Sequence, residues 1–450
     1  MRNIFKITAA FAFMVTLLFT SCEKWIDPEI NKDPDNVTDV PTNLLLPGTL
    51  GNMAYTLGGI NVAAIGAMWC QQMRGADRQF IAMYNYNVKE ENVANTWDSF
   101  YPDILMNLQV ILEKSENTPH FAGVAKVLTA IALGNCTNLF GDIPYTEAFQ
   151  GNENLTPKYD SQEQIFNTII TLLGEGITDL QRPDLDNEVP LQGDMVYGND
   201  VSAWLKLAHT LRARYNLNLS EVSSPDWSSI LSDLGNGLAD NADDCEFFFG
   251  NSPSEANPLY NFNNDRSGYV LANIVFKDML AADSIADGTV DPRYAVFADD
   301  AVENSDGLVF GTAYGSINSP VIFGSYVEAK FIEAEAHLRK SSPDQAAADA
   351  AYNAAVSASL AKFGVSDANW EATYASLSGI TLEQIGVAKY KALFMQPEAY
   401  TNFRRTGYPV LVPVAGNEIP SRLPYPTDER LYNKENRPDV TIFTKMWWMP

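Results

Sequence analysis

The chain has 450 residues, 30 Lys and Arg against 56 Asp and Glu, and a net charge of −26. So acidic a surface excludes the basic footprint that nucleic-acid phosphates require, and it disfavours lying flat on an anionic membrane. An apolar share of 46 % with 11 % aromatics is globular composition, with enough chain for a large core.

The first element is a leader. Arg2 and Lys6 precede an uncharged run from Ile7 to Phe19, then Thr20, Ser21 and Cys22. A membrane anchor needs roughly 20 apolar residues, so this run reads as a secretory signal over 1–21 rather than a span. Ending directly on cysteine, it resembles a bacterial lipobox, which makes Cys22 the lipidation site. The place three before the cysteine holds Phe19, with Leu18 one further back, so a plain secretory signal is the alternative. Cleavage leaves 429 residues at a charge near −28.

Residues 22–43 are rich in Asp, Asn and Pro and are expected to form an extended tether, with the body running over 44–450. That body reads as mainly helical. Residues 121–138 and 161–181 carry apolar positions at three- and four-residue spacing, and Ser161 with Gln164 forms a capping box. Residues 201–220 and 325–340 are helical patterns, each followed by the tetrapeptide SSPD and another helix. There Ser is expected to cap and Pro to open the next helix. Alanines at 334, 336, 347, 351 and 355 permit close helix approach. The expected fold is stacked tetratricopeptide-like helix pairs over about 44–239 and 325–403, without the signature Trp, Gly, Tyr and Pro spacing, and with long ordered loops over about 240–324 and 404–450.

Cys70, Cys136 and Cys245 remain after Cys22; three cannot all pair, one disulfide among them is the alternative in an exported protein, and no Cys/His cluster points to zinc. Cys70 and Cys136 sit in apolar helical contexts and read as buried hydrophobes. His120, His209 and His337 fall in no catalytic motif, and neither a phosphate loop nor a dinucleotide turn is present. No cofactor is expected. The Asp-rich stretch 283–294 lacks the EF-hand spacing and leaves a structural calcium open.

Three stretches, NLFGDIPYTEAFQGNENLTPKYDSQEQIF (138–166), YVEAKFIEAEAHLR (326–339) and FRRTGYPVLVP with IPSRLPYPTDERLYN (403–433), closely resemble the SusD/RagB family of outer-membrane lipoproteins. The resemblance implies that the loop-rich stretches 240–324 and 404–450 form an irregular capping region on the helix pairs, and that the protein is a non-enzymatic nutrient-binding protein on the bacterial surface, of the kind found in Bacteroidetes. Such a protein captures oligosaccharides or peptides and passes them to a SusC-like TonB-dependent β-barrel. A protein-interaction scaffold without a small ligand is the alternative, and a glycan-processing enzyme the more distant one.

Sugar binding needs apolar faces for C–H surfaces and amides or charges for hydroxyls. Trp69, Arg74, Asp77, Arg78, Tyr84, Asn85 and Tyr86 supply that mixture in one stretch; Tyr260, Asn263, Asp265, Arg266 and Tyr269 supply it in another. Core packing competes for Trp69 and for Trp97, which opens a run with Tyr101 and Leu105. Arg404 and Arg405 are expected to pair with acids of the helical body, and Trp447 and Trp448 to pack down near the end.

Overall fold

Helices form where apolar spacing and capping residues agree. The computed structural model describes residues 40–304 and 307–450, so the leader, Cys22 and the tether up to residue 39 lie outside the described residues. The first described helix is α1 (Thr42–Gly58), beginning inside the stretch read as tether. It is followed by α2 (Ala63–Trp69), α3 (Gln79–Tyr84), α4 (Ala94–Phe100) and α5 (Met106–Glu113). A π turn over Tyr101–Leu105 joins α4 to α5 at Pro102, which lacks the amide a regular turn would use.

Three long helices come next: α6 (Pro119–Phe140), α7 (Gln162–Leu180) and α8 (Val201–Asn218). α6 is long and apolar enough to cross a membrane, but 89 % of its most apolar window is buried in the protein. The capping box of α7 is present: Gln164 N donates to Ser161 Oγ at 3.2 Å, and Ser161 N donates to Gln164 Oε1 at 2.9 Å. α6 packs on α7 and α7 on α8, then α8 on α9 (Trp227–Gly235). Glycine at 134 lets two of these layers meet, since a Cβ there would collide with the buried Tyr215 hydroxyl.

The middle of the chain carries α10 (Pro258–Asp265), α11 (Ile274–Ala282), α12 (Tyr294–Phe297) and α13 (Thr312–Gly315). The scaffold resumes with α14 (Tyr326–Arg339), α15 (Gln345–Lys362), α16 (Ala368–Tyr374), α17 (Leu382–Ala392) and α18 (Pro397–Thr406); α19 (Thr427–Tyr432) follows. The fold is thus mainly helical, built of stacked antiparallel pairs. Alanines serve both faces of α14. Ala334 shares a core with Ala348, Ala351 and Ala355 of α15, while Ala336 meets Ala213, Leu217 and Ile230 on the other side. Ala347 is only half-buried, and Ala348 takes its expected place.

The SSPD turns work differently from the expectation. Aspartate caps: Asp226 Oδ1 accepts from Ser228 N at 3.0 Å, and Asp344 Oδ1 accepts from Ala347 N at 3.1 Å. Proline lies one residue before each cap, outside the helix, where its fixed φ shapes the approach.

Residues 240–324 are more regular than the sequence pattern implies. β2 (Cys245–Phe247) pairs antiparallel with β6 (Val321–Gly324). A second sheet has the order β1-β3-β5-β4, from β1 (Met73–Gly75), β3 (Val270–Ala272), β5 (Gly307–Phe310) and β4 (Ala298–Asn304). Its β1 comes from the first helical unit, a long-range pairing that no local pattern announces. Beyond α18, residues 407–450 hold α19 among turns and open chain.

Arg405 pairs with an acid as expected, and Arg404 does not. Arg404 stacks 3.8 Å over the Tyr400 ring and donates to Asn138 O at 2.7 Å and Ser421 O at 2.6 Å. Its neighbourhood is aromatic and carbonyl-rich, so a guanidinium with five donors is satisfied there without a counter-ion.

Candidate functional site

The two stretches singled out in the sequence meet in space. β1 lies against β3 with Met73 opposite Ala272 and Gly75 opposite Val270. Beyond the strands, Ala76 N and Asp77 N both donate to Tyr269 O, at 2.9 and 3.3 Å. This clamps α3 beside α10, and Phe80 meets Phe262 edge-on with centroids 5.2 Å apart.

An open groove of about 430 Å³ runs between them. Its floor is apolar: Ile60, Ile65, Phe80, Met83 and Phe262. Its rim is polar: Asn61, Gln79, Asn92 and Asn95, with Glu91 and Arg266. Arg266 sits 5.3 Å over the Phe262 ring, a cation–π contact that holds the ring in place. Among the described residues, the side-chain amides of Asn61, Gln79 and Asn95 make no hydrogen bond, so their donors and acceptors are open to a ligand.

The backbone around α3 is strained. Gln71, Arg78 and Tyr86 adopt positive φ of 60°, 51° and 64°, at a cost of roughly 1–3 kcal/mol each. Specific bonds hold two of them: Gln71 Nε2 donates to Val412 O at 2.6 Å, and Tyr86 Oη accepts from Val414 N at 3.1 Å. The loop after α18 therefore braces the chain before and after α3.

Most of the expected site residues support the groove rather than line it. Trp69 is fully buried and donates from Nε1 to Met83 O at 3.0 Å, supporting α3 from behind. Tyr84 is 6 % exposed; its hydroxyl accepts from Asn273 Nδ2 at 3.1 Å, and Arg74 lies 5.3 Å over its ring. Tyr86 is 7 % exposed, and burial raises its phenol pKa. These three rings offer no open face and serve as packing, because the strained turns around α3 direct them inward. Asp77, Arg78 and Asn85 are exposed, Asp77 capping Arg78 N at 2.8 Å. Tyr260 and Asn263 on α10 are half-buried, the latter with Oδ1 buried and unpartnered. Asp265 is exposed, and Tyr269 packs edge-on against Phe262 at 6.3 Å.

Of the twelve expected ligand contacts, Arg266 alone lines the groove. Asn92, Asn95 and Phe262 also line it and are not among the expected contacts, although Asn95 lies two residues before Trp97 and Phe262 two after Tyr260. Nothing in the sequence marked Asn61. Trp97 itself is core, 4.9 Å from Tyr101 and 5.0 Å edge-on to Phe140.

Other reactive groups are engaged elsewhere. Cys70, Cys136 and Cys245 are free and buried. His120 contacts Arg182 O at 2.8 Å through Nε2, and His209 contacts Asp233 at 2.8 Å. In the Asp-rich stretch, Asp283 accepts from Lys391, Asp287 caps Thr289, and Asp291 holds Arg293. They face different partners, and among the described residues no group of three or more His, Cys, Asp or Glu side chains is arranged to hold a metal.

Comparison with known proteins fixes the family. The profile described as SusD-like, starch-binding associating with outer membrane, matches residues 34–426. The chain belongs to the SusD-like family. Among solved structures, this SusD-like chain is similar to a chitin-binding protein, with 25 % identity, coverage of 91 % of this chain and 100 % of that one, and a TM-score of 0.75. A SusD/RagB family protein from Bacteroides thetaiotaomicron aligns at 20 % identity, over 91 % and 99 % of the chains, with a TM-score of 0.71. A chitin-binding SusD homolog from Flavobacterium johnsoniae aligns at 20 %, over 90 % and 98 %, with a TM-score of 0.72. No curated protein matches. The family description names starch binding and association with the outer membrane.

Proposed function

We propose that the chain captures an oligosaccharide in the groove between α3 and α10 and delivers it to a SusC-like TonB-dependent barrel. A lipid on Cys22 holds it on the outer face of the outer membrane, and the residues between Cys22 and α1, which begins at Thr42, act as tether. No reaction is catalysed: the groove binds and releases.

The observation that carries this reading is the groove's composition. An apolar floor takes the C–H face of a sugar ring, and amides that bond to nothing among the described residues take its hydroxyls. An apolar peptide segment would leave those amides unpaired at about 1–3 kcal/mol for each one it buries, so the rim favours a hydroxyl-rich ligand. The family description names starch and two structural relatives are named for chitin, which sets the first probes.

The test is isothermal titration of chitohexaose and maltoheptaose into the wild type and into Asn95→Ala and Phe262→Ala. Saturable binding that weakens about tenfold in the variants, a loss of about 1.4 kcal/mol, supports the groove. Binding untouched by both substitutions overturns it. Detergent extraction of the tagged protein from its native membrane tests delivery: a β-barrel in near-equal amount supports the partner, and its absence from an acylated preparation sinks that part.

A further inference from the structure

Arginine in this chain almost always has a protein acceptor. There are 56 Asp and Glu against 30 Lys and Arg, and even exposed arginines find a carboxylate. Arg78 lies 3.8 Å from Asp77, Arg182 2.6 Å from Asp186 and Arg430 2.5 Å from Glu90. Arg404 and Arg422 have no acid and donate to backbone carbonyls instead. Arg266 does neither. It lines the groove between α3 and α10, is exposed, and its guanidinium donates to no acceptor among the described residues. Asp265, exposed beside it in the chain, forms no ion pair with it. Its backbone is nonetheless fixed on both sides: its N–H donates to Phe262 O at 2.9 Å, and its carbonyl accepts from Tyr269 N at 3.2 Å. The contact 5.3 Å over the Phe262 ring engages its charge and gives its five N–H donors no acceptor oxygen.

We infer that Arg266 makes the groove selective for acidic oligosaccharides, its guanidinium taking a uronate carboxylate while the sugar chain lies along the apolar floor. The planar fork of a guanidinium matches the two oxygens of a carboxylate and bonds both through parallel N–H groups. A neutral hydroxyl occupies one donor and leaves the charge unanswered. The floor strengthens the contact, because a sugar seated on Ile60, Phe80 and Met83 displaces water beside the ion pair and lowers the local dielectric. Of the described residues around the groove, Glu91 alone is acidic, and Lys89 offsets it from 3.8 Å. The negative charge of the rest of the chain fades over a screening length of about 8 Å at physiological salt, so the cation at the rim decides. The saccharide class rests on the proposed function; the preference for an acid rests on Arg266.

Isothermal titration of the full chain with hexagalacturonate, hexamannuronate and their methyl esters tests this, since esterification removes the charge and keeps the sugar chain. At least one acid is expected to bind about fivefold tighter than its ester, with high salt shrinking the difference and Arg266→Gln erasing it. Arg266→Lys keeps the charge without the fork and is expected to retain part of the preference. Arg266 is exposed, so both variants should fold, and circular dichroism checks that they do. Acids that bind no tighter than their esters overturn the inference, as does a preference indifferent to Arg266→Gln. Hexaglutamate presents comparable charge on a peptide backbone, and binding as tight as the better uronate overturns the saccharide class. If maltoheptaose or chitohexaose binds through Asn95 and Phe262 while no acid is preferred, the inference fails and the proposed function stands. If no sugar of either kind binds, both fail.

Discussion

Arg405 and Glu335 meet in a buried two-point ion pair, with Nη1 to Oε1 and Nη2 to Oε2 both 2.6 Å. The pair ties α18 to α14, and Arg339 adds a third donor to Glu335 Oε1 at 2.9 Å. Burial alone would raise the Glu335 carboxyl; the charge of Arg405, with Arg339, outweighs it and holds the pKa at about 2. A carboxyl depressed in the folded state stabilises the fold above its unfolded value near 4.5, and that contribution fades as pH falls toward 2. Glu335→Gln is therefore expected to lower stability by about 3 kcal/mol at pH 7 and to flatten its decline between pH 4.5 and 2. Urea melts across that range check both; an unchanged pH profile counts against the pair.

Trp448 is fully buried, its ring 5.1 Å from the Arg404 guanidinium, whereas its neighbour Trp447 is 39 % exposed. Trp448→Ala is expected to cost about 3–5 kcal/mol through the cavity it opens. Trp447→Ala is expected to stay within about 0.5 kcal/mol. Thermal melts of the two variants distinguish the packed ring from the exposed one, and equal losses contradict the assignment.

The body thiols are expected to be inert. Burial pushes Cys70 up to about 12 and raises Cys136 and Cys245 as well, so little thiolate exists at pH 8 and none is accessible. Native protein should react with no equivalent of a thiol reagent from these three, and guanidinium should release all three together. A fast-reacting thiol before unfolding would mean that one helix layer opens locally.

The helices were legible because their signals are local. Ser161 and Gln164 cap α7 as read, and apolar spacing placed α6, α8 and α14 within a few residues. The site was legible only as two neighbourhoods. Its floor depends on β1 pairing with β3 across almost 200 residues, and pairing partners of short strands leave no trace in composition. Tyr84 and Tyr86 had the right chemistry for a ligand and the wrong orientation. The positive φ of Arg78 and Tyr86 turns the chain so that α3 presents Gln79 outward and its tyrosine inward. Backbone strain at non-glycine residues cannot be read from residue type.

That inversion separates stability from binding. Tyr84 is core, so Tyr84→Ala is expected to cost about 3 kcal/mol or more, and Tyr84→Phe about 1 kcal/mol from the lost bond to Asn273. Neither ring borders the groove, so sugar affinity of folded Tyr84→Phe should match wild type. Asn95 is exposed and its amide bonds to nothing in the described protein, so Asn95→Ala should leave the melt within about 0.5 kcal/mol while weakening sugar binding about tenfold. Paired melts and titrations on these variants decide the matter. Lost affinity in Tyr84→Phe with normal affinity in Asn95→Ala would move the site from the α3–α10 groove back to the tyrosines.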